Sequence, residues 1–249
     1  MRILLSPAKK MNVVDDSLEA AGLPVFLEET GRLLDWMRGL TFEEIRGLWG
    51  CNEKLAKMNF ERLVHMDLRR NLTPALLAFE GIAYQYMAPT VFERGQYAYV
   101  QEHLRILSGF YGILKPMDGV VPYRLEMQAK GAPDGAGNLY EFWGRKLYSE
   151  VMDGERLLIN LASKEYFKVV EKYLTPEDTC ITCVFGELEG EKVVQKGVYA
   201  KMARGSMVRF LAENGIQRAE EMKGFSSLGY GFSEALSSER EYVFLKRQG

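Results

Sequence analysis

The sequence predicts a mixed α/β fold: one compact domain spanning residues 1–249, with a central mixed sheet surrounded by helices. Three observations support this prediction. A chain of 249 residues is within reach of one domain. Its hydrophobic fraction of 47% is enough for a large core. The last third alternates strand, helix, strand, strand and helix patterns, which is typical of α/β folds.

The first half combines a leading strand with several capped helices. Residues 2–6 have the pattern of a strand. Thr41 and Glu44 have capping-box spacing, which predicts a short helix, and Asn52 is placed to cap the next one. The apolar run from Ala75 to Phe79 predicts a short strand. Residues 96–107 are expected to form a helix that stops at a glycine turn.

The second half supplies most of the predicted sheet. Strands are expected at 157–161, 179–185, 192–195 and 242–245. The helices expected between them lie at 138–151, 163–173 and 199–213.

Charge and hydropathy restrict the function. Lys and Arg total 32 against 34 Asp and Glu, so any phosphate partner needs a local basic patch. No stretch approaches the roughly 18–20 apolar residues of a membrane span, and we expect no membrane partner. Only Ile3 to Leu5 form an apolar run before Ser6, which is too short for a signal peptide core. We therefore expect a cytoplasmic protein.

The cysteines point to a structural role. Their odd number argues against a disulfide framework, and Cys180-x-x-Cys183 lies in a β-branched run typical of a strand. Only two histidines, His65 and His103, accompany them. We expect neither a metal site nor a cofactor.

Lys9 follows the first predicted strand directly, in the segment Ser6-Pro7-Ala8-Lys9. Polar residues at the carboxyl end of a strand often face a ligand crevice in α/β sheets, so Lys9 is a candidate phosphate contact. A solvated strand-to-loop exit is the alternative.

The densest motif runs from His103 to Met127. Gly109 and Gly112 frame a tight turn whose backbone N–H groups could hold a phosphate, with Arg105 and Lys115 on either side. The arrangement is similar to a helix-hairpin-helix element that binds DNA backbones. The alternative is a structural turn that packs its aromatic residues into the core.

Arg124 and Glu126 follow in an extended segment, which places them on the same face. They form either an ion pair or a cation and base presented to a substrate.

Lys164 and Lys168 share one face at a predicted helix start, where the helix dipole favours anions. Ordinary capping with solvated lysines is the alternative there.

The helix expected over residues 199–213 carries a basic face free of acidic residues up to Phe210. At 100° per residue, Lys201, Arg204 and Arg209 fall on one side of it. This face is either a phosphate contact or simply a solvated surface.

These segments resemble, in order and along essentially the whole chain, the YaaA family of peroxide stress proteins. The matching stretches are MRILLSPAKKM at the start, HLRILSGFYGILKPMDGVVPYRLEM at 103–127, LYEFWG at 139–144, INLASKEYFK at 159–168, YAKMARGSMVRF at 199–210 and GFSSLGYGFSE at 224–234.

The resemblance implies a cytoplasmic bacterial protein that protects against hydrogen peroxide by limiting free iron and oxidative DNA damage. It also implies a basic cleft that binds DNA and a helix-hairpin-helix-like element, which maps to Arg105–Lys115. We expect a monomer.

The leading hypothesis is non-specific binding of DNA, either duplex or with unpaired regions, through phosphate contacts. The candidate contacts are Lys9, Arg105, Lys115, Arg124, Lys164, Lys168, Lys201, Arg204 and Arg209. Tyr111, Tyr123 or Tyr166 could stack on unpaired bases.

The alternative is an enzyme that acts on a nucleotide or another phosphorylated small molecule in the same cleft. Glu126 or Glu165 would then serve as acid–base groups. No known catalytic motif is present, so the sequence favours a protein without enzymatic activity.

Overall fold

The structure is a computed structural model that describes residues 1–14, 18–152, 154 and 156–247. The strands of the described part are β1 (Arg2–Leu5), β2 (Lys10–Met11), β3 (Thr73–Pro74), β4 (Phe79–Glu80), β5 (Leu104–Ser108), β6 (Gly112–Leu114), β7 (Gly119–Val120), β8 (Leu157–Asn160), β9 (Thr179–Glu189), β10 (Lys192–Val194), β11 (Tyr230–Phe232) and β12 (Glu241–Lys246).

The helices of the same residues are α1 (Leu27–Arg38), α2 (Phe42–Trp49), α3 (Glu53–His65), α4 (Ala75–Ala78), α5 (Ile82–Met87), α6 (Arg94–His103), α7 (Leu139–Trp143), α8 (Lys146–Val151), α9 (Lys164–Glu171) and α10 (Gly197–Glu213). Short 3₁₀ turns lie at Pro89–Val91, Ala219–Gly224, Ser227–Gly229 and Glu234–Leu236. None of the described helices combines the length and apolar composition that a bilayer span requires.

One eight-stranded sheet organises the fold, in the order β11-β12-β9-β8-β1-β5-β6, with β10 paired to β9. The five strands from β12 to β5 are parallel, while β11 and β6 pair antiparallel at the two ends of this order. From β1 the chain reaches β5 on one side, then crosses to β8, β9 and β12 on the other side. A topological switch point therefore lies between β1 and β8.

The sheet is buried because helices cover it, as parallel sheets require. Ile3 of β1 lies opposite Leu104 of β5 and Ile159 of β8, and all three side chains are inaccessible to solvent. One continuous hydrophobic core joins the sheet to the surrounding helices. The predicted fold class, a mixed α/β protein with a helix-covered mixed sheet, is confirmed.

Local capping explains the start of two helices. Glu44 N–H donates to the Thr41 hydroxyl at 3.4 Å, and the Glu44 carboxylate accepts from the Thr41 N–H at 2.8 Å. Asn52 accepts from the Leu55 N–H at 2.9 Å. The capping box before α2 and the cap of α3 are thus confirmed.

Close packing of α10 against α5 positions one wall of the site described below. A Cβ at Gly205 of α10 would lie 1.9 Å from the Ala83 carbonyl oxygen of α5, so only glycine allows this approach. Gly205, Ser206, Met207 and Val208 are all buried. On the predicted basic face, Lys201 is exposed, whereas Arg204 and Arg209 are partly buried.

The segment from Ala75 to Phe79 forms α4 and the start of β4, so the strand predicted there is wrong. The N–H groups of Ala75 and Leu76 donate to the carbonyls of Asp118 and Pro116. A five-residue apolar run looks alike in a buried helix and a buried strand, and here tertiary hydrogen bonds decide.

The chain around Arg105 to Lys115 forms a β-hairpin, not a helix-hairpin-helix element, and that prediction is wrong. Helix α6 ends at His103, and the next five residues pair with both β1 and β6. Residues predicted as the end of a helix instead form β5, which pairs with β1 and with the edge strand β6. Similarly, the helix predicted over 138–151 divides into α7 and α8, because Gly144 takes a left-handed φ of 52°.

Candidate functional site

A cleft of about 570 Å³ opens at the carboxyl ends of β1 and β8, where the topological switch point lies. Ligands of open α/β sheets bind in this position. We call it the switch-point cleft. Its polar lining is Ser6, Lys9, Lys10, Glu80, Tyr84, Glu126, Ser163, Glu165, Tyr166, Lys201 and Arg204.

Two serines join the strand ends at the floor of the cleft. The Ser163 N–H donates to the Ser6 hydroxyl at 2.9 Å, and the two hydroxyl oxygens lie 3.3 Å apart. The Tyr84 hydroxyl donates to the Ser6 carbonyl at 3.1 Å, which ties α5 to the same point. Ser163 is the N-cap residue of α9, but its side chain accepts no hydrogen bond from the first turn of the helix. The partial positive charge at this helix N-terminus is therefore not met by the Ser163 side chain.

Arg204 of α10 is the most unusual side chain of the cleft. Its Nε is buried and has no hydrogen-bond partner among the residues that the structure describes. No carboxylate of those residues forms a salt bridge with it either. Burial lowers the pKa of Arg204, but a guanidinium stays charged at neutral pH. A largely buried cation without an acid beside it favours an anionic ligand.

Three lysines surround the mouth of the cleft. Lys201 is exposed on α10, three residues before Arg204 and on a neighbouring part of the helix surface. Lys9 pairs with Glu126 at 2.8 Å, and Lys10 pairs with Glu80 at 2.7 Å. The Lys9 and Lys10 side chains are 68% and 69% exposed. Exposed pairs of this kind contribute little to stability, so both lysines can turn toward an incoming anion.

Two carboxylates line the same space. Glu126 accepts from Lys9 on one oxygen, and its other oxygen lies 3.4 Å from Nη2 of Arg124. Glu165 accepts from the Gln128 N–H at 3.3 Å. Burial raises the pKa of Glu165, and the nearby Glu126 charge raises it further. Glu165 can therefore hold a proton at higher pH than an ordinary glutamate.

Arg124 forms an ion pair with Glu126, which is one of the two interpretations that the sequence left open for it. The guanidinium is largely buried and directed at Glu126, so Arg124 supports the cleft from behind. Lys164 and Lys168 are exposed on α9, beginning one residue after Ser163. The Lys168 ammonium lies 5.0 Å from the centre of the Tyr140 ring.

Arg105 lies outside the cleft. It is 5% exposed, and its guanidinium donates to the carbonyls of Gln101, Glu102 and Leu104 at 2.8–3.3 Å. These are carbonyls at the end of α6, which are left without partners inside the helix. Arg105, the second residue of β5, therefore caps the end of the preceding helix.

The remaining basic candidates are also separate from the cleft. Lys115 is exposed after β6, and its backbone N–H donates to Asp118 at 2.8 Å. Arg209 pairs with Glu213 at 2.6 Å on the outer surface of α10.

The glycines of the hairpin serve packing. A Cβ at Gly109 would lie 2.5 Å from the Leu125 carbonyl oxygen, and one at Gly112 would lie 2.9 Å from side chains of Leu147 and Trp143. The Ser108 hydroxyl accepts from the N–H groups of Phe110 and Tyr111. The structural interpretation of this turn therefore accounts for both glycines.

The tyrosines considered for base stacking are buried. Tyr111 is inaccessible, and Tyr123 and Tyr166 are each 8% exposed. Tyr123 shares a hydrogen bond of 2.6 Å with Ser108. These rings support the core around the cleft, so the stacking prediction is wrong for them.

Ser6, Ser163 and Tyr84 were not among the predicted site residues. The two serines carried a signal, because Ser6 directly follows β1 and Ser163 lies three residues after the end of β8. Tyr84 carried none, since its segment shows no catalytic or phosphate-binding pattern. Arg204 was among the predicted phosphate contacts, and it lines the cleft.

The cysteine pair lies within the sheet. Cys180 and Cys183 are in β9, and burial raises the pKa of the Cys180 thiol to about 12. Among residues 1–14, 18–152, 154 and 156–247, no group of three or more His, Cys, Asp and Glu side chains is arranged to hold a metal ion.

Comparison with known proteins gives a single family. A sequence model described as peroxide stress protein YaaA matches residues 1–236. A UPF0246 protein of Agathobacter rectalis is 58% identical over 247 residues, covering 99% of both chains. UPF0246 proteins of Lachnoclostridium phytofermentans and Pediococcus pentosaceus are 53% and 50% identical, covering 96% and 99% of their own lengths and at least 99% of this chain. The resemblance drawn from the motifs is confirmed, and the chain belongs to the YaaA family of peroxide stress proteins.

Proposed function

We propose that this peroxide stress protein binds DNA without sequence specificity, through phosphate contacts centred on the switch-point cleft, and so limits iron-driven oxidative damage to DNA. The single observation that carries the proposal is the largely buried guanidinium of Arg204, which has no acid beside it among the described residues. A phosphate oxygen is a strong acceptor for such a group.

The rim of the cleft favours a long anion over an isolated ion. Lys9, Lys10 and Lys201 are exposed and line the cleft with Arg204, and Lys164 and Lys168 are exposed on α9, which begins one residue after Ser163. Flexible lysines meet phosphates in many orientations without reading bases, which suits non-specific binding. A local basic surface of this kind is needed because the whole chain has a net charge of −2.

The proposed protection follows from general chemistry. Iron(II) reduces hydrogen peroxide to hydroxide and hydroxyl radical, and the radical breaks DNA strands. A protein that occupies the backbone excludes iron from phosphates. Such a role places the protein in the cytoplasm with the chromosome.

Fluorescence anisotropy with labelled single-stranded, duplex and bubble DNA across a salt series tests the binding. In the Lys201→Gln/Arg204→Gln variant, the negative slope of the log association constant against log salt concentration is expected to become shallower by about 1–2. The matched control is Lys115→Gln/Arg209→Gln, which removes the same charge outside the cleft and should keep the wild-type slope. Equal slopes in the two variants, or no binding at low salt by the folded protein, would contradict the proposal.

Protection is tested separately by plasmid nicking with iron(II) and hydrogen peroxide. Wild-type protein is expected to reduce nicking, and the Lys201→Gln/Arg204→Gln variant should protect less at the same concentration. Equal protection by both proteins would show that the protective effect does not depend on this cleft.

The second candidate function is catalysis on a nucleotide or another phosphorylated small molecule. Glu126 and Glu165 favour it, because both line the cleft beside the cations and burial raises the pKa of Glu165. A carboxylic acid that stays protonated nearer neutral pH can act as a general acid.

A screen of nucleotides and sugar phosphates by thermal stabilisation, followed by product analysis, tests this candidate. A compound that is converted by the wild type and bound but not converted by Glu165→Gln would support catalysis. If the protein converts none of the compounds in the screen, the result would favour DNA binding without catalysis.

A further inference from the structure

A second cleft, of about 760 Å³, adjoins the switch-point cleft. It lies between the α1–α2 pair and the segment from Glu126 to Lys130, and we call it the tryptophan cleft. Lys9 and Glu126 line both clefts. The two spaces therefore border the same ion pair, and a ligand that reached from one into the other would pass beside it.

Trp49 supplies the unusual group of the tryptophan cleft. Its side chain lines the cleft and is only 4% exposed, yet its indole Nε1 has no hydrogen-bond partner in the described part of the chain. By contrast, the fully buried Trp143 donates its indole N–H to the Gly109 carbonyl at 3.0 Å. Buried donors normally have partners, and the enclosed Trp49 N–H can find one in the cleft only if the indole ring turns toward an acceptor there.

The other walls favour a flat, partly apolar group. Trp36, Leu40 and Leu48 provide apolar surface, and Trp36 is only partly buried. Gln128 and Lys130 provide polar groups at the edge. Planar heteroaromatic rings match this combination, because they stack on indole and carry acceptor nitrogens or oxygens at their edges.

We propose that the ligand of the site is a nucleotide whose phosphate lies near Arg204 and whose base occupies the tryptophan cleft. This inference rests on the proposed function, because it takes the phosphate site of the switch-point cleft as given. The nucleotide is either free or an unpaired unit of a DNA strand.

The ¹H–¹⁵N resonances of the indole N–H groups report on this directly. The chain has three tryptophans, and Trp143 serves as an internal reference because its N–H is already bonded inside the protein. The probes are AMP, ribose 5-phosphate, adenosine and a short oligodeoxyadenylate. AMP is expected to shift the Trp49 resonance and leave that of Trp143 in place, whereas ribose 5-phosphate should bind without moving Trp49.

Two variants separate the two halves of the site. Trp49→Phe retains a ring but removes the donor, so AMP affinity is expected to fall about tenfold while ribose 5-phosphate affinity is unchanged. Arg204→Gln should lower the affinity for both AMP and ribose 5-phosphate. An unchanged Trp143 resonance in each variant shows that the fold is intact.

The outcomes distinguish the inference from the proposed function. If ribose 5-phosphate binds in an Arg204-dependent way but AMP binds no tighter and leaves Trp49 unmoved, the base site is overturned and the phosphate site stands. If neither phosphate compound nor the oligonucleotide binds, both are overturned. A shift with AMP alone supports a free nucleotide, and a shift with the oligonucleotide as well supports an unpaired base of DNA.

Discussion

The β5–β6 hairpin and the switch-point cleft both look like phosphate sites in the sequence, yet their cations have opposite surroundings. Arg105 beside the hairpin is buried against three backbone carbonyls that accept its hydrogen bonds. The Nε of each arginine is buried without a partner among the described residues, but the Nη groups of Arg204 also form no hydrogen bond or ion pair with those residues. The Arg105 cation stabilises the fold through these hydrogen bonds, whereas the Arg204 cation can still bind an anion from outside the protein.

This difference teaches that glycine and cation content alone does not identify a binding loop. The glycines of the hairpin permit close packing, and the serines of the cleft mark strand ends at a switch point. Position relative to the sheet separates the two cases, and position follows from strand order. The variants below test whether the hairpin is structural and the cleft functional.

The largest expected effect is on stability, from Gly109→Ala in the hairpin. The new Cβ would lie 2.5 Å from the Leu125 carbonyl oxygen, so backbone must move. We expect the free energy of unfolding to fall by about 1–3 kcal/mol, measured by urea denaturation. Gly31→Ala is the control, because its Cβ meets nothing within 4 Å in the middle of α1 and should stabilise by about 0.5–1 kcal/mol. Equal stability of the two variants would show that the hairpin is not tightly packed.

Arg105→Met is expected to have the next largest effect. It removes the donor that three carbonyls share at the end of α6, so the free energy of unfolding should fall by about 1–2 kcal/mol. DNA affinity of the folded variant should match the wild type. A stable variant with weakened DNA binding would instead place Arg105 in the interface.

These two predictions rest on features that the sequence did not resolve. The strand at the start of the sheet, the caps at Thr41 and Asn52 and the strand ends beside Lys9 and Ser163 were predictable, because short-range patterns determine them. The hairpin was mistaken for a helix-turn element because its pairing partner β1 lies about a hundred residues earlier in the chain. Arg105 and Arg204 look alike in sequence, since only tertiary packing decides which one finds acceptors.

A comparable effect is expected from pH at Asp118, which follows the hairpin. Burial raises the pKa of Asp118 to about 6, although Lys115 and Arg105 oppose the shift and Glu150 adds to it. The folded protein thus binds this proton more tightly than the unfolded chain. The contribution of Asp118 to stability should fall as pH rises from about 4 to 6, by an amount on the order of 2 kcal/mol.

Urea denaturation of wild type and Asp118→Asn across this pH range measures the effect. The variant lacks the titration, so the difference in unfolding free energy between the two proteins should change in favour of the variant as pH rises. A constant difference would show that the carboxyl titrates normally in the folded state.

The most direct test of the central claim compares one lost cation in each region. Arg204→Gln removes a charge from the cleft, and Lys115→Gln removes one from the end of the hairpin, where the side chain is exposed. Anisotropy titrations with one labelled single-stranded oligonucleotide at one salt concentration give the two affinities. We predict about a tenfold loss for Arg204→Gln and less than about a twofold loss for Lys115→Gln. Equal losses, or the larger loss at Lys115, would contradict the assignment of the phosphate site to the switch-point cleft.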